Sequence, residues 1–349
     1  MKLIFIGDTH LTPLAPSSRK ETNEEYRDLE FKKLKYIYEN IASDKNDKII
    51  ITGDVFHSSS LSMMAGTPKF YNDIIDLMST RETYSIIGNH DMYYRNEDSE
   101  NSTILANLFK TSVEHLDKLE LNSQAYKYDS NLGVNQVYNR TIKIYGVDYM
   151  KDFPKLQFID GAYNIIVAHS FFEDNFYGAK GNENLTIEAI NNYLGKYDAV
   201  VLGHDHAAYP MIDINNALAY NEKTKIIRPG SLMRGTSHTC QINRIPQVAV
   251  FDTHTLEWSY EQIPVAPGQE VFKEKVILEK EIDINMENIL KNIDSYDKSI
   301  GIYKFLKSQE QRGKEAFGDR YNDIITLIKQ YLNSYGFIEN GGVKWHLKI

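Results

Sequence analysis

The sequence predicts an α/β protein in which two sheets pack against each other and a small α/β unit follows. Short apolar runs that stop at a glycine or a polar residue recur along the chain, which is typical of buried strands. Helical periods separate the first three of these runs, and this alternation favours a parallel sheet. Shorter alternating runs between residues 113 and 147 indicate antiparallel strands of a second sheet. The expected architecture is therefore a two-sheet α/β/β/α sandwich.

The N-terminal part supplies the strand–helix series of the first sheet. The predicted order is strand 3–6, helix 23–42, strand 49–52, helix 61–78, strand 84–87 and helix 99–109. Gly66 and Pro68 are expected to break the start of the second helix, because proline lacks the amide hydrogen that a helix interior needs.

The rest of the second sheet and a domain boundary follow. Strand 163–168 is predicted to return to the core, and helix 185–194 precedes strand 199–202. Strands 225–227, 248–251 and 256–261 are predicted to complete the second sheet. Two prolines and a glycine in residues 263–268 indicate a boundary there, between a domain at 1–263 and a capping unit at 269–349. Within that unit the pattern predicts strands 271–278, 300–306 and 343–347 and helices 286–293 and 321–335.

Composition narrows the class of protein. The chain has 349 residues, 42% of them apolar and 25% charged, which is typical of a globular protein. Its single cysteine, Cys240, excludes an internal disulfide framework and favours a reducing compartment. Neither a signal peptide nor an apolar run of membrane-spanning length is apparent in the sequence, so we expect a cytoplasmic protein with no membrane partner.

The net charge of −9 is unusual for a protein that binds nucleic acid, but one stretch of the chain has a net positive charge. Residues 221–248 contain one acidic residue, Glu222, and five basic residues: Lys223, Lys225, Arg228, Arg234 and Arg244. Two interpretations of this basic stretch stay open. The stretch could follow a phosphate backbone, or it could be a solvated loop without a partner.

Polar side chains follow five of the predicted strands, where each strand ends. They are Asp8 and His10, Asp54 and His57, Asn89 with His90 and Asp91, His169, and His204 with His206. In α/β sheets, ligands bind beyond the carboxyl ends of the strands, so these side chains are expected to meet. Carboxylates and imidazoles together suit manganese, iron or zinc better than calcium. A shared carboxylate can hold two such ions about 3.5–4 Å apart, as phosphoryl-transfer sites require.

These five motifs, in this order, resemble the calcineurin-like metallophosphoesterase superfamily. The resemblance implies two divalent ions, with manganese expected first and magnesium, iron or zinc as alternatives. One ion would be held by Asp8, His10, Asp54 and His206, and the other by Asp54, Asn89, His169 and His204. His90 resembles the family's catalytic histidine, and Asp91 is expected either to orient it or only to cap the following turn.

A histidine three residues after Asp54 and the turn at Pro229-Gly-Ser231 resemble the SbcD-type nucleases of DNA repair and phage recombination. His57 would then contact the DNA backbone, whereas in the alternative interpretation it is a surface loop histidine. This resemblance implies DNA exonuclease and endonuclease activity, an SMC-like ATPase partner of the SbcC type, a homodimer, and a bacterial cytoplasm or a phage-infected host.

Two other functions remain open. The same metals could serve a phosphatase or phosphodiesterase acting on a protein or small molecule. A metal-bound module without catalysis is the third possibility.

Overall fold

The computed structural model describes residues 1–60, 67–93, 103–129, 134–153, 162–172, 184–185, 197–215, 223–235 and 239–273. Its strands are β1 (Lys2–Ile6), β2 (Lys48–Ile51), β3 (Thr83–Ser85), β4 (Glu114–His115), β5 (Lys118–Asp129), β6 (Val134–Val147), β7 (Ala162–His169), β8 (Phe171–Phe172), β9 (Asn184–Leu185), β10 (Ala199–Gly203), β11 (Ile212–Asn215), β12 (Lys223–Ile227), β13 (Gln247–Asp252) and β14 (Glu257–Gln262). Its α-helices are α1 (Asn23–Tyr36), α2 (Pro68–Met78), α3 (Ile104–Leu108), α4 (Thr239–Ile242) and α5 (Gly268–Val271).

The strands form two mixed six-stranded sheets, ordered β14-β13-β1-β2-β3-β4 and β11-β12-β10-β7-β6-β5. Strands β1, β2 and β3 run parallel in the first sheet, and β6, β7, β10 and β12 run parallel in the second. The two-sheet α/β architecture predicted from the sequence is confirmed. The assignment of the strands predicted at 248–251 and 256–261 to the second sheet is wrong, because β13 pairs antiparallel with β1 and β14 pairs with β13 in the first sheet. Parallel strands present their carboxyl ends at one edge of each sheet, which is where the polar motifs were expected to meet.

Apolar layers cover both faces of β1, because its side chains alternate between them. Leu3 and Phe5 point into the layer between the sheets, where Ile144 and Val201 of the second sheet are also buried. Burying one such side chain contributes about 1.5–3 kcal/mol. Ile4 and Ile6 face the other way, into the layer that the first sheet shares with helices α1 and α2. The first sheet is therefore buried on both faces along β1.

Helix α1 begins where the sequence predicts a helix. Thr22 accepts a hydrogen bond from the Glu25 amide at 3.3 Å, and the Glu25 carboxylate accepts one from the Thr22 amide at 2.9 Å. This reciprocal pair satisfies two amides that a helix start otherwise leaves open. The helical path continues as a π-turn over Ile37–Ile41.

Other predicted elements differ in extent. The short runs between 113 and 147 form one long hairpin, β5 and β6, paired over twelve residues of each strand. The second crossover helix begins at Pro68, and residues 61–66 lie outside the described residues. Of the helix predicted over 185–194, only Leu185 is described, and it belongs to strand β9.

The expected boundary at 263–268 is anchored to the first domain at its two ends, where Ile263 and Gly268 are buried, whereas Pro264, Ala266 and Pro267 are exposed. A Cβ on Gly268 would lie 1.9 Å from the Ile242 carbonyl oxygen, so only glycine allows this approach. Phe272 is fully buried, and the Arg19 guanidinium lies over its ring at 5.2 Å. Residues 268 and 272 therefore pack against the first domain, whereas the division into two domains stays a prediction because the unit predicted beyond residue 273 lies outside the described residues. Among the described helices, none is both long and apolar enough to cross a membrane.

Candidate metal centre

The loops that follow β1, β2, β3, β7 and β10 converge at one edge of the two sheets. Hydrogen bonds between main chains hold the first two loops together, from the His10 amide to the Asp54 carbonyl and from the Leu11 amide to the Val55 carbonyl, both at 2.9 Å. The His204 amide donates to the Asp8 carboxylate at 2.9 Å, and this contact joins the two sheets. All seven ligands predicted from the sequence are brought to this edge.

The first ligand group consists of Asp8, His10 and His206, whose ligand atoms lie within 4.8 Å of one another. The Nε2 atoms of the two histidines are 2.8 Å apart. The Asp8 Oδ2 lies 3.4 Å from Nε2 of His206 and 3.8 Å from Nε2 of His10. Two imidazole nitrogens and a carboxylate oxygen that point at one position form a donor set suited to a divalent transition metal.

The second ligand group consists of Asp54, His169 and His204, again within 4.8 Å. The His169 Nδ1 lies 2.8 Å from the Thr52 carbonyl oxygen, which can only accept, so this nitrogen carries the proton. Nε2 of His169 is thereby directed at the centre, 3.4 Å from Asp54 Oδ2 and 3.0 Å from Asn89 Oδ1. A backbone carbonyl that fixes the tautomer in this way is the usual support of a metal-binding histidine.

Asp54 lies between the two groups. Its Oδ2 is 3.6 Å from His10 Nε2 in the first group and 3.4 Å from His169 Nε2 in the second. Its Oδ1 accepts a hydrogen bond of 2.7 Å from the His90 amide, which holds the carboxylate in this orientation. The geometry suits a carboxylate shared by two ions.

Several ligands occupy left-handed backbone conformations. The φ angles are 44° at His10, 49° at Asp54 and 84° at His204. Residues other than glycine rarely adopt such angles, and where they persist the surrounding structure enforces them, often at functional sites. Gly88 allows the close approach of the loops, because a Cβ there would lie 2.2 Å from Asp54 Oδ1.

The electrostatics of the centre favour a cation. Burial alone would raise the pKa of Asp8, but the hydrogen bond with His206 and the charge of His169 lower that pKa to about 2. Burial would also raise the pKa of Asp54, but the charge of His169 holds that pKa well below its usual range. Both carboxylates are therefore ionised and able to bind metal.

The histidines divide into two kinds. Burial lowers the pKa of His10 and of His204 to about 3, so both imidazoles are neutral and able to bind metal. Burial also disfavours charge on His169, yet the carboxylate of Asp54 outweighs it and raises the His169 pKa to about 10. A positive charge beside Asp54 is thus strongly stabilised, as a divalent ion would be.

His57 and His90 lie side by side next to the first group. Their rings are stacked with centroids 5.4 Å apart, and the His10 ring lies 4.8 Å from that of His90 and 5.5 Å from that of His57. His90 Nδ1 lies 2.8 Å from the His57 carbonyl oxygen, so Nδ1 carries the proton that it donates. His57 is exposed and His90 half-buried, which leaves both accessible to a substrate.

Asp91 makes different contacts from those expected. Instead of His90, its buried carboxylate accepts hydrogen bonds from the amides of Gly88 at 2.9 Å and Val55 at 3.1 Å. Burial and the neighbouring charge of Asp54 raise its pKa to about 8. Asp91 therefore ties the loop after β3 to the loop after β2.

The basic stretch is also placed differently from either expectation. Arg228, Arg234 and Arg244 are buried, with 5%, 2% and 9% of their surface exposed. Arg234 and Arg244 donate to main-chain carbonyls, among them those of Ala266 and Met233. Lys225 pairs with Asp213 at 2.5 Å on the neighbouring strand. These described residues support the fold rather than a solvated face.

Some residues of the centre gave no signal in the sequence. Tyr149 and Phe171 pack against the His204 ring, with centroids 5.6 and 4.0 Å away. Thr52 orients His169 through its carbonyl group, which any residue possesses. Contacts of these kinds depend on main-chain atoms or general apolar packing, and neither has a sequence signature.

Comparison with known proteins gives one family. A family model described as calcineurin-like phosphoesterase matches residues 1–208. No curated protein matches the chain.

Three solved structures resemble it weakly. NAD nucleotidase (NadN) of Haemophilus influenzae is 13% identical with a TM-score of 0.38, over 75% of this chain and 49% of that one. The 5'-nucleotidase precursor of Thermus thermophilus is 14% identical with a TM-score of 0.38, over 77% of this chain and 57% of that one. The 5'-nucleotidase of Candida albicans is 15% identical with a TM-score of 0.39, over 81% and 58% respectively. The chain thus spans less than two thirds of each of these structures.

Proposed function

This chain belongs to the calcineurin-like phosphoesterase family, and from that premise we propose that it is a two-metal nuclease that hydrolyses phosphodiester bonds of DNA. The observation that carries the proposal is the pair of ligand groups joined by Asp54, with His57 and His90 beside them. When bound, a pair of divalent ions supplies Lewis-acid activation of water and of the phosphoryl oxygens.

His90 is the proposed catalytic residue. Because its Nδ1 donates to the His57 carbonyl oxygen, its Nε2 is the nitrogen left for a substrate. When protonated, this nitrogen donates a hydrogen bond to the developing negative charge and then a proton to the leaving oxygen. The hydrogen bond to the His57 carbonyl oxygen orients His90, which is the role that was expected of Asp91.

His57 supports a polymeric substrate. Its exposed ring stacks on His90 at the edge of the centre, so it can reach a phosphate next to the one that is cut. A monophosphate ester has no second phosphate to place there, whereas a DNA strand does. This position supports the nuclease over an enzyme that hydrolyses monophosphate esters.

The second candidate is a phosphatase or phosphodiesterase that acts on a small molecule or protein. One observation favours it: the arginines of the basic stretch are buried, so this part of the described structure offers no exposed arginine to a DNA backbone. The net charge of −9 points the same way. The same ligand groups and His90 serve either substrate.

His57→Ala decides between the two candidates. A hydrogen bond to a charged group contributes about 1.5–3 kcal/mol, so the variant should lose roughly 10- to 100-fold in activity on duplex DNA ends. Hydrolysis of bis(p-nitrophenyl) phosphate and the bound Mn²⁺ should stay near the wild-type values. The matched control is His254→Ala, a half-buried histidine after β13, at the opposite end of the sheet.

The outcomes separate the functions. If the wild-type protein hydrolyses nucleoside monophosphates or other small esters but cuts neither linear duplex nor circular single-stranded DNA, the second candidate replaces the nuclease. Equal loss in His57→Ala on every substrate would assign His57 to the common chemistry.

Further parts of the proposal follow from the family resemblance. We propose manganese as the native metal, a cytoplasmic location, a homodimer and an SbcC-type ATPase partner. Light scattering of the purified protein tests the homodimer, and co-purification with an SbcC-type ATPase tests the partner.

A further inference from the structure

The segment after the last metal motif folds back onto the first ligand group. The His206 carbonyl oxygen accepts two hydrogen bonds, from the Gln241 side-chain amide at 2.9 Å and from the Ser231 main-chain amide at 3.2 Å. The Leu232 amide donates to the Asp8 carbonyl at 2.8 Å. Two ligands of one group, Asp8 and His206, are thus held by their main chains from the same segment.

Arg244 fixes the orientation of Gln241. Its Nη2 donates to the Gln241 Oε1 at 2.8 Å, which leaves the Gln241 NH₂ group to face His206. The same guanidinium donates to the Ser231 Oγ at 3.0 Å, to the Met233 carbonyl at 3.2 Å and to the Ser231 carbonyl. Gln241 is 1% exposed and Arg244 9% exposed, so neither bond competes with bulk water.

The turn around Gly230 lies in close contact with His206 and with the loop that carries Asp8. Gly230 has a φ of 75°, and a Cβ there would lie 2.9 Å from the His206 carbonyl oxygen. A Cβ on Gly7 would lie 2.0 Å from the Gly230 carbonyl oxygen. Two glycines therefore allow the turn to lie directly against the loop that carries Asp8.

We infer that Gln241, oriented by Arg244, is a positioning residue for the first ligand group and sets the place of His206. This inference rests on the proposed two-metal function and deepens it. The contacts are confined to the group of Asp8, His10 and His206, whereas the second group is oriented separately through Thr52. Loss of Gln241 should therefore weaken one ion and spare the other, which a general loss of stability would not do.

The test uses the full chain and two variants of Gln241. Gln241→Glu keeps an acceptor for Arg244 but has no proton to donate to the His206 carbonyl oxygen. Gln241→Met keeps the length of the side chain and removes both contacts. Gln262→Leu, at an exposed position on edge strand β14, is the matched control.

Calorimetric titration with Mn²⁺ and electron paramagnetic resonance are the measurements, with the melting temperature as a check of folding. In both Gln241 variants one of two binding events should weaken by roughly 10- to 100-fold, the usual effect of removing a group that supports a metal ligand. At limiting Mn²⁺ the spectrum of a coupled ion pair should give way to that of a single ion. The control should match the wild-type protein.

Three results would overturn the inference: two unchanged binding events, an equal weakening of both, or weakening of the same size in Gln262→Leu. Failure of the proposed function is distinguishable from these results, because it would show in the wild-type protein, as either no bound pair of Mn²⁺ ions or a bound pair without cleavage of DNA.

Discussion

Replacing Asp54 by asparagine removes one negative charge from between the two ligand groups and little else. Asparagine keeps the shape of the side chain, an oxygen that can accept from the His90 amide, and a tolerance for the left-handed φ of 49°. Alanine at the same position would lose that tolerance and add about 1–2 kcal/mol of backbone strain. Asp54→Asn is therefore the cleaner probe of the bridge.

The size of the effect follows from the linkage between binding and folding. An ion present at 100 times its dissociation constant stabilises the folded state by about 2.7 kcal/mol, so two ions contribute about 5.4 kcal/mol. In a domain of this size 1 kcal/mol corresponds to roughly 2–4 °C, so Mn²⁺ should raise the wild-type melting temperature by roughly 10–20 °C. Asp54 Oδ2 lies within 3.6 Å of a ligand nitrogen in each group, so the variant should lose most of both contributions.

The assay is thermal unfolding with and without Mn²⁺, with the bound metal counted by elemental analysis. Without Mn²⁺, the variant should melt below the wild-type protein, because the charge of His169 holds the Asp54 pKa well below its usual range and the ionised carboxylate therefore stabilises the fold. With Mn²⁺, its melting temperature should rise by less than about 5 °C and DNA cleavage should disappear. Full metal content and an undiminished Mn²⁺ shift in Asp54→Asn would refute the bridging role.

Two further substitutions test His90 and Asp91, the two residues that follow Asn89 in the third motif. His90→Asn should retain both ions while turnover falls by about 10²- to 10⁴-fold, and a fall in metal content would make His90 a ligand instead. Asp91→Ala should lower the free energy of unfolding in urea by roughly 2–6 kcal/mol, since the Gly88 and Val55 amides each lose a buried acceptor. A loss below about 1 kcal/mol would show that water replaces the carboxylate without cost.

Local pattern was sufficient to predict the parallel strands of the first sheet and the meeting of the ligands, but it placed the strands at 248–251 and 256–261 in the wrong sheet. Leu3–Ile6 and Ile49–Ile51 are apolar on both faces, and only strands buried on both sides explain such short runs bounded by polar residues. Their parallel order then determines which ends share an edge. For this reason Asp8, Asp54 and His169 could be assigned to one centre from the sequence alone.

The roles of Asp91 and the arginines depended on contacts that no local pattern encodes. Asp91 binds the amide of Val55, 36 residues away, only because the loops after β2 and β3 close on each other. In the sequence, Arg244 cannot be told from an arginine on the protein surface. It can be buried because carbonyl groups near the turn at Gly230 point inward and accept its hydrogen bonds.

The sequence by itself determined which side chains can bind metal and at which strand ends they lie, because strand order and residue type suffice for both. Only the tertiary structure decided which groups hold those side chains in place. Arg19, for example, lies over the ring of the buried Phe272. Phe272 follows the Pro-Gly run at which the sequence predicted a domain boundary. The physical reason is that buried main-chain amides and carbonyls must find partners, and those partners come from distant segments that meet only in the folded chain.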